Sequence, residues 1–587
     1  MQIVTWVFKL LVIFSLFQLS LQAPPICSGA DRGALLAFKA RIYKDTTGML
    51  ASWVGMDCCD GGWEGIQCNP RTGRVTQVVL QRPADGDTGV FMKGTLSPSL
   101  GNLRFLEVMI ISGMKRIAGN IPQSFSSLTR LTQLHLEDNV LEGSIPSSLG
   151  NLPFLKALSL SGNHLTGPIP PTFGNFRNLV QLTVARNHLQ GPIPISLKNL
   201  FSLQYLDLSH NSLSGFIPDF VGQFKNLTFL DLSNNQISGG IPISLGSLAS
   251  LSDMSLSQNQ LAGSIPSEIG HLKSLTSLSL SMNQLSGQIP DTLSQLQNLW
   301  HLNLSRNALS NPLPDAFSKG IPSLLSIDLS YNHLNLGTVP EWIRSRELSD
   351  VHLAGCNLIG TLPVFAKPNS LNSVDLSDNH FTNGISDFFS KMSSLQKAKL
   401  SNNQLKSDLS TITLPTGLAS LDLHSNQLFG SLSGILNRTS NFMQAMDLSN
   451  NYISGSIPEF SEGSSLTLLN VGSNKITGQI PDSISNLATL ERLDISRNQV
   501  TGTIPTSLGL LFKLQWLDLS INKLVGKIPL SLLDIEKLRH ANFRANKLCG
   551  MIPQGRPFNA FPSTAYGHNL CLCGKPLPPC KGMDNER

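Results

Sequence analysis

An asparagine recurs through this chain at a fixed step. Asn139, Asn163, Asn187, Asn211, Asn235, Asn259, Asn283 and Asn307 stand 24 residues apart. The series runs on through Asn332, Asn379, Asn403, Asn426, Asn451, Asn474, Asn498, Asn522 and Asn546 with slips of one or two residues, interrupted at Cys356. One full cycle is Leu206-Asp207-Leu208-Ser209-His210-Asn211-Ser212-Leu213-Ser214-Gly215-Phe216-Ile217-Pro218. Its pattern is L-x-L-x-x-N-x-L-x-G-x-I-P. A length of 587 residues would ordinarily suggest several domains. A fixed period in this range overrides that prior, because a solenoid grows by adding cycles.

The pattern dictates the geometry of one cycle. In L-x-L both leucines point to one face of a short strand and the residues between them to the other. A single cycle cannot bury its leucines, so cycles stack and lay their strands parallel at about 4.8 Å. The asparagine stands where the chain leaves the strand, and its amide can bond backbone groups of the turn and of the next cycle. Losing it would leave buried backbone unsatisfied, at about 1–3 kcal/mol per site. Gly-x-Ile-Pro ends the turn and keeps a helix from starting directly after it. The expected fold is therefore an α/β repeat, a leucine-rich repeat solenoid.

The G-x-I-P extension resembles the plant-specific subclass of leucine-rich repeats found in receptor kinase ectodomains, receptor-like proteins and polygalacturonase-inhibiting proteins. The resemblance covers roughly residues 27–580. It implies a right-handed solenoid with a concave parallel β-sheet, short 3-10 helices outside and disulfide caps at both ends.

The expected order is a signal peptide (1–23), an N-terminal cap (24–73), about twenty repeats (74–555), then a C-terminal cap with a short tail (556–587). Lys9 closes a short basic region, and the apolar run from Leu10 to Leu19 is too short to span a bilayer. In the N-terminal cap, Asp31 opens a stretch with helical apolar spacing. Cys27, Cys58, Cys59 and Cys68 could pair in three ways. Their Cys-Cys-x-x-x-Trp-x-Gly-x-x-Cys motif resembles the plant cap, which implies Cys27–Cys58 and Cys59–Cys68. Cys549, Cys571, Cys573 and Cys580 resemble the C-terminal cap of polygalacturonase inhibitors and of the relatives called DNA-damage-repair/toleration proteins. That resemblance implies Cys549–Cys571 and Cys573–Cys580, leaving Cys356 as a buried residue at an asparagine position. The expected mature protein is secreted to the cell wall space, carries no membrane-spanning run, and inserts into no membrane.

Three departures stand out. Residues 81–89 form a polar Gly- and Pro-containing excursion within irregular first cycles (74–122). Ile110 to Pro122 resumes the frame with extra residues. Ser386, Ser410 and Ser433 replace the closing proline, so 381–437 should have a different outer edge.

No catalytic constellation, phosphate loop or metal-spaced set appears, so no enzyme activity, cofactor or metal is expected. Asp207, Asp231, Asp328, Asp375, Asp422, Asp447, Asp494 and Asp518 recur with the repeat, mostly beside a serine, and form a column. The formal charge of +5, spread over so large a surface, gives no nucleic-acid footprint. The x positions instead supply a binding face. Its candidate contacts are Tyr205, Asp207, Phe229, Asp231, His301, Arg306, Lys397, Lys399, Arg492 and Trp516, since exposed aromatics and arginines anchor protein interfaces. Asn226, Asn303 and Asn437 fit the glycan acceptor pattern. The expectation is a secreted recognition protein that binds a protein or peptide in defence or developmental signalling, with a membrane receptor kinase as one possible partner. The alternative is an inhibitor of microbial cell-wall hydrolases such as polygalacturonase.

Overall fold

The computed structural model describes residues 26–82, 89–436 and 441–580. The chain divides into two compact units, Met1–Leu299 with Gly320–Pro322, and Trp300–Lys319 with Ser323–Arg587.

The first unit begins with a helix, Gly29–Lys39, which buries Ala34, Leu35 and Phe38. It also buries Asp31, whose carboxylate accepts Arg74 Nε and Nη2 at 2.8 Å and the Val75 amide at 3.0 Å. Trp53 and Trp63 stack 5.5 Å apart, each donating its indole N–H to a backbone carbonyl. Disulfides Cys27–Cys58 and Cys59–Cys68 close this cap. Val75–Gln81 then starts a parallel sheet that continues through Val108–Ser112, Gln133–His135, Ala157–Ser159 and Gln181–Thr183. It proceeds in register through Tyr205–Asp207, Phe229–Asp231, Asp253–Ser255 and Ser277–Ser279. Because the register never slips, leucine stacks on leucine, as in Leu182, Leu206 and Leu230.

The L-x-G stretch of each cycle forms a second parallel ladder, which the sequence pattern did not lead us to expect. In this unit it runs from Met92–Thr95 through Lys115–Gly119 and Val140–Ser144 to Gln284–Gln288. One buried leucine flanked by exposed residues reads as a loop, yet the extended backbone pairs with its neighbour. Five-residue 3-10 helices follow the closing prolines, as at Pro171–Asn175 and Ile195–Asn199. A Cβ on Gly174 would lie 2.3 Å from the Ser196 carbonyl oxygen, so consecutive 3-10 helices touch because glycine stands there.

In the second unit the parallel sheet runs from His301–Asn303 through Ser326–Asp328, Asp350–His352, Ser373–Asp375 and Lys397–Lys399 to Ser420–Asp422. Ala445–Asp447, Leu468–Asn470, Arg492–Asp494, Trp516–Asp518 and His540–Asn542 complete it. Here the second ladder is reduced largely to isolated bridges and short pairs. The outer edge changes where proline is lost. Ile385–Phe389 and Ser433–Leu436 are α-helical, and Leu409–Thr411 is a three-residue 3-10 turn capped by Asp408. Disulfides Cys549–Cys571 and Cys573–Cys580 close the C-terminal end around Phe543, Phe558 and Tyr566. The Tyr566 hydroxyl donates to the Phe558 carbonyl. Among the described residues no helix is long and apolar enough to cross a membrane.

Candidate ligand-binding face

Each asparagine fixes where the chain leaves the strand. Asn163 Nδ2 donates to the carbonyls of Leu136, Leu160 and Ser161 at 3.0, 3.0 and 3.2 Å, and its Oδ1 accepts the Leu141 amide at 2.9 Å. The same set recurs at Asn211 and Asn379. The preceding residue is held in the left-handed region, as at Arg186, His210 and Asn234 with φ of 52, 51 and 54°. The ladder frays at the irregular early cycles, where the buried Asn139 Oδ1 finds no partner. Cys356 fills one rung. Its Sγ lies 3.6 Å from the Leu329 and Ala354 carbonyls, and burial first and Asp328 second push its thiol up to about 12.

The aspartate column is a product of the same exit. Asp207 Oδ1 accepts the Ser209 amide and hydroxyl at 3.0 and 2.7 Å, and Asp375 and Asp447 do the same with Ser377 and Ser449. These are side-chain turns that hold the strand end. Among the described residues the cysteine sulfurs close enough for a metal, Cys27, Cys58 and Cys59, all belong to disulfides.

Two groups of candidate side chains come together. In the first unit Tyr205 pairs in register with Phe229, their rings parallel to within 2° and 4.2 Å apart. Beside them lie Asp207 and Asp231, also in register, and Asp253, which follows Phe229 in its column. Burial first, then the charges of Asp207, Asp231 and Asp253, raise the Tyr205 hydroxyl above its usual range. In the second unit the Arg492 guanidinium lies 4.7 Å over the Trp516 ring, and Trp516 stacks on His540 at 3.6 Å. Arg492 Nε, Trp516 Nε1 and His540 Nε2 are buried and find no partner among the described residues. Burial holds His540 below its ordinary value, against the opposing charge of Asp518.

Models of the leucine-rich repeat N-terminal domain, a leucine-rich repeat region and the leucine rich repeat match residues 28–69, 195–378, and 441–500 with 464–524. The chain is 34% identical over 121 residues to DNA damage-repair/toleration protein DRT100 of Arabidopsis thaliana, 19% of this chain and 32% of that protein. It is 35% identical over 111 residues to a polygalacturonase inhibitor of Vitis vinifera, 19% of this chain and 30% of that protein. The matches thus span about a third of these curated relatives. Among solved structures, the ectodomain of the Arabidopsis thaliana receptor kinase GASSHO1/SCHENGEN3, in complex with CASPARIAN STRIP INTEGRITY FACTOR 2, is 33% identical with a TM-score of 0.73. That match covers 89% of this chain and 65% of that one. PEPR1-AtPEP1 is 30% identical with a TM-score of 0.62, over 90% of this chain and 80% of that one. The chain belongs to the plant extracellular leucine-rich repeat family.

Other candidates on this family's strand face stand apart. Lys397 and Lys399 are exposed, and Lys399 Nζ lies 3.9 Å from Asp375. His301 bonds Ser326 Oγ, and burial lowers its pKa. Arg306, expected at a strand position, lies beyond the strand His301–Asn303 in the left-handed turn. The reason is the exit geometry, which turns the chain before the ladder asparagine. There Arg306 sits 4.3 Å over Tyr331, whose hydroxyl donates to Asp378 Oδ2 at 2.5 Å. Burial and then that bond push Tyr331 up to about 12. Sequence reasoning missed Tyr331 and Asp378, although both precede a ladder residue. Asn226 is exposed on the outer connection, and Asn303 lies on the strand with Oδ1 bonded to Ser305. Asn437, the signal segment and most of the 81–89 excursion lie outside the described residues.

Proposed function

We propose that this is a recognition protein of the cell wall space that binds a peptide or protein along its strand face, in defence or developmental signalling, without catalysis. The observation that carries the reading is the stack of Arg492, Trp516 and His540. Three polar atoms there are buried without a partner among the described residues. Each unsatisfied group costs about 1–3 kcal/mol, which a bound partner or ordered water would recover. Such a pre-stacked aromatic and guanidinium group is the usual anchor of an interface. Related ectodomains support ligand recognition, since HAESA is described in complex with a peptide hormone and the co-receptor SERK1. The Asp and Ser pairs that could suggest a hydrolase are spent on turns. A glycan on Asn303 would mask the neighbouring strand positions and confine the ligand to the rest of the face.

The similarity to a polygalacturonase inhibitor favours a second reading, inhibition of a microbial cell-wall hydrolase. Selecting binders from a displayed peptide library with the glycosylated protein, then mapping them by crosslinking, tests the first. Crosslinks on the strand face, lost with Trp516→Ala, are expected. Binders that map to the outer helices and survive Trp516→Ala would refute it. Inhibition of a fungal polygalacturonase by the purified protein would establish the second.

A further inference from the structure

The strand face of the first unit carries a feature that the general reading leaves undefined. Tyr205 and Phe229 are stacked and half-exposed on a surface whose neighbouring strands present the polar side chains of Gln181, Thr183, Asp253 and Ser255. Stacking uses one face of each ring, Gln181 and Asp253 flank the pair in the same column, and the rings remain half-exposed. The carboxylates around the pair are those of Asp207, Asp231 and Asp253. Each spends at least one oxygen on a local serine: Asp207 on Ser209, Asp231 on Ser233, and Asp253 on Ser252. None has a lysine or arginine partner among the described residues. Burial first, opposed by the Ser209 bonds, and then the charge of Asp231 raise the Asp207 carboxyl. His210, at the rim and bonded to Asn234, is a basic side chain that acts on Asp207.

We infer that this face seats a lysine or arginine side chain of a polypeptide partner, its aliphatic stem over the rings and its cation among the three carboxylates. The charge complementarity is on the surface itself. Three negative charges stand around an aromatic pair, and no lysine or arginine among the described residues pairs with them. A ring face attracts a cation through its quadrupole, and the nearby carboxylates add to that attraction. The long stem of lysine or arginine covers the apolar edges of the rings. An acidic or apolar partner would leave the carboxylates facing one another uncompensated. This inference rests on strand-face recognition and names what one part of that face takes.

The test uses the full glycosylated protein with fluorescent hexalysine and hexa-acetyl-lysine as probes at pH 7. Expected is saturable hexalysine binding, none for the acetylated probe, and about tenfold weakening in both Tyr205→Ala/Phe229→Ala and Asp207→Asn/Asp231→Asn/Asp253→Asn. The control is Asp447→Asn/Asp494→Asn/Asp518→Asn, which removes the same charge from the second unit and should leave binding unchanged. Circular dichroism confirms that every variant is folded. If the control weakens hexalysine as much as the site variant, the site is overturned while strand-face recognition stands. Binding untouched by either set, or absent altogether, also overturns the site.

Discussion

Replacing Asn163 with alanine tests the ladder at one rung. The side chain is 4% exposed and makes four bonds to backbone. The three carbonyls it serves each keep another donor. Leu136 O retains Asn139 Nδ2, Leu160 O retains Asn187 Nδ2, and Ser161 O retains the Asp138 amide. The Leu141 amide loses the asparagine oxygen it donates to. The cost is then one stranded N–H, about 1–3 kcal/mol, with a smaller loss from the carbonyls, about 2–4 kcal/mol together. Asn163→Asp should be worse than alanine. It keeps an acceptor for Leu141 but turns a carboxylate oxygen toward three carbonyls. Native-state hydrogen exchange read by mass spectrometry is the right assay, because a repeat array couples mainly nearest neighbours. Faster exchange should be confined to about residues 136–190 and spare the cap at 27–68. Unchanged exchange in the alanine variant, or aspartate tolerated as well as alanine, would refute the bond accounting.

Asp31→Ala should strand Arg74 and the Val75 amide in the cap and cost about 3–5 kcal/mol, measured by urea unfolding or by loss of secretion. Cys356→Ala should be well tolerated, and native Cys356 should resist iodoacetamide until denaturant is added, since its thiol is pushed up to about 12. Gly174→Ala should separate consecutive 3-10 helices and cost about 1–3 kcal/mol by thermal melting. His424 is raised by its 2.6 Å bond to Asp422. Burial is the largest single influence on Asp422 and raises it, but the bond to His424, its charge and the hydrogen bonds from the His424 amide and Ser401 together leave it lowered. The pair therefore stabilises most between the ordinary carboxylate and imidazole values, about pH 4–6.5. The difference between wild type and His424→Ala should be of order 0.5–1 kcal/mol in that window. It should fade as pH rises through the histidine's value and as pH falls through the aspartate's.

The period made the sheet legible, since L-x-L alternation and the asparagine step leave little freedom. The second ladder was hidden because Leu213, the buried residue of Ser212–Gly215, stands alone among half-buried neighbours and shows no alternation. Loss of the closing proline correctly marked a changed outer edge, but whether helix or turn followed depended on local capping, as Asp408 shows at Leu409–Thr411. On the face itself, Tyr205 beside Phe229 and Arg492 beside Trp516 could be read from their equal places in adjacent cycles. Arg306 could not, because its direction depends on a left-handed backbone that L-x-L arithmetic does not contain.

That left-handed column has a further meaning. Arg306, Tyr331, Asp378 and Asn402 share one backbone conformation, with φ between 52 and 55°, although their side chains have nothing in common. The ladder asparagine that follows each of them sets the conformation, so the side chain in front is free to change. A mutational library confined to this column could sample new specificities while each variant inherited the same scaffold, and diversification would leave the fold untouched.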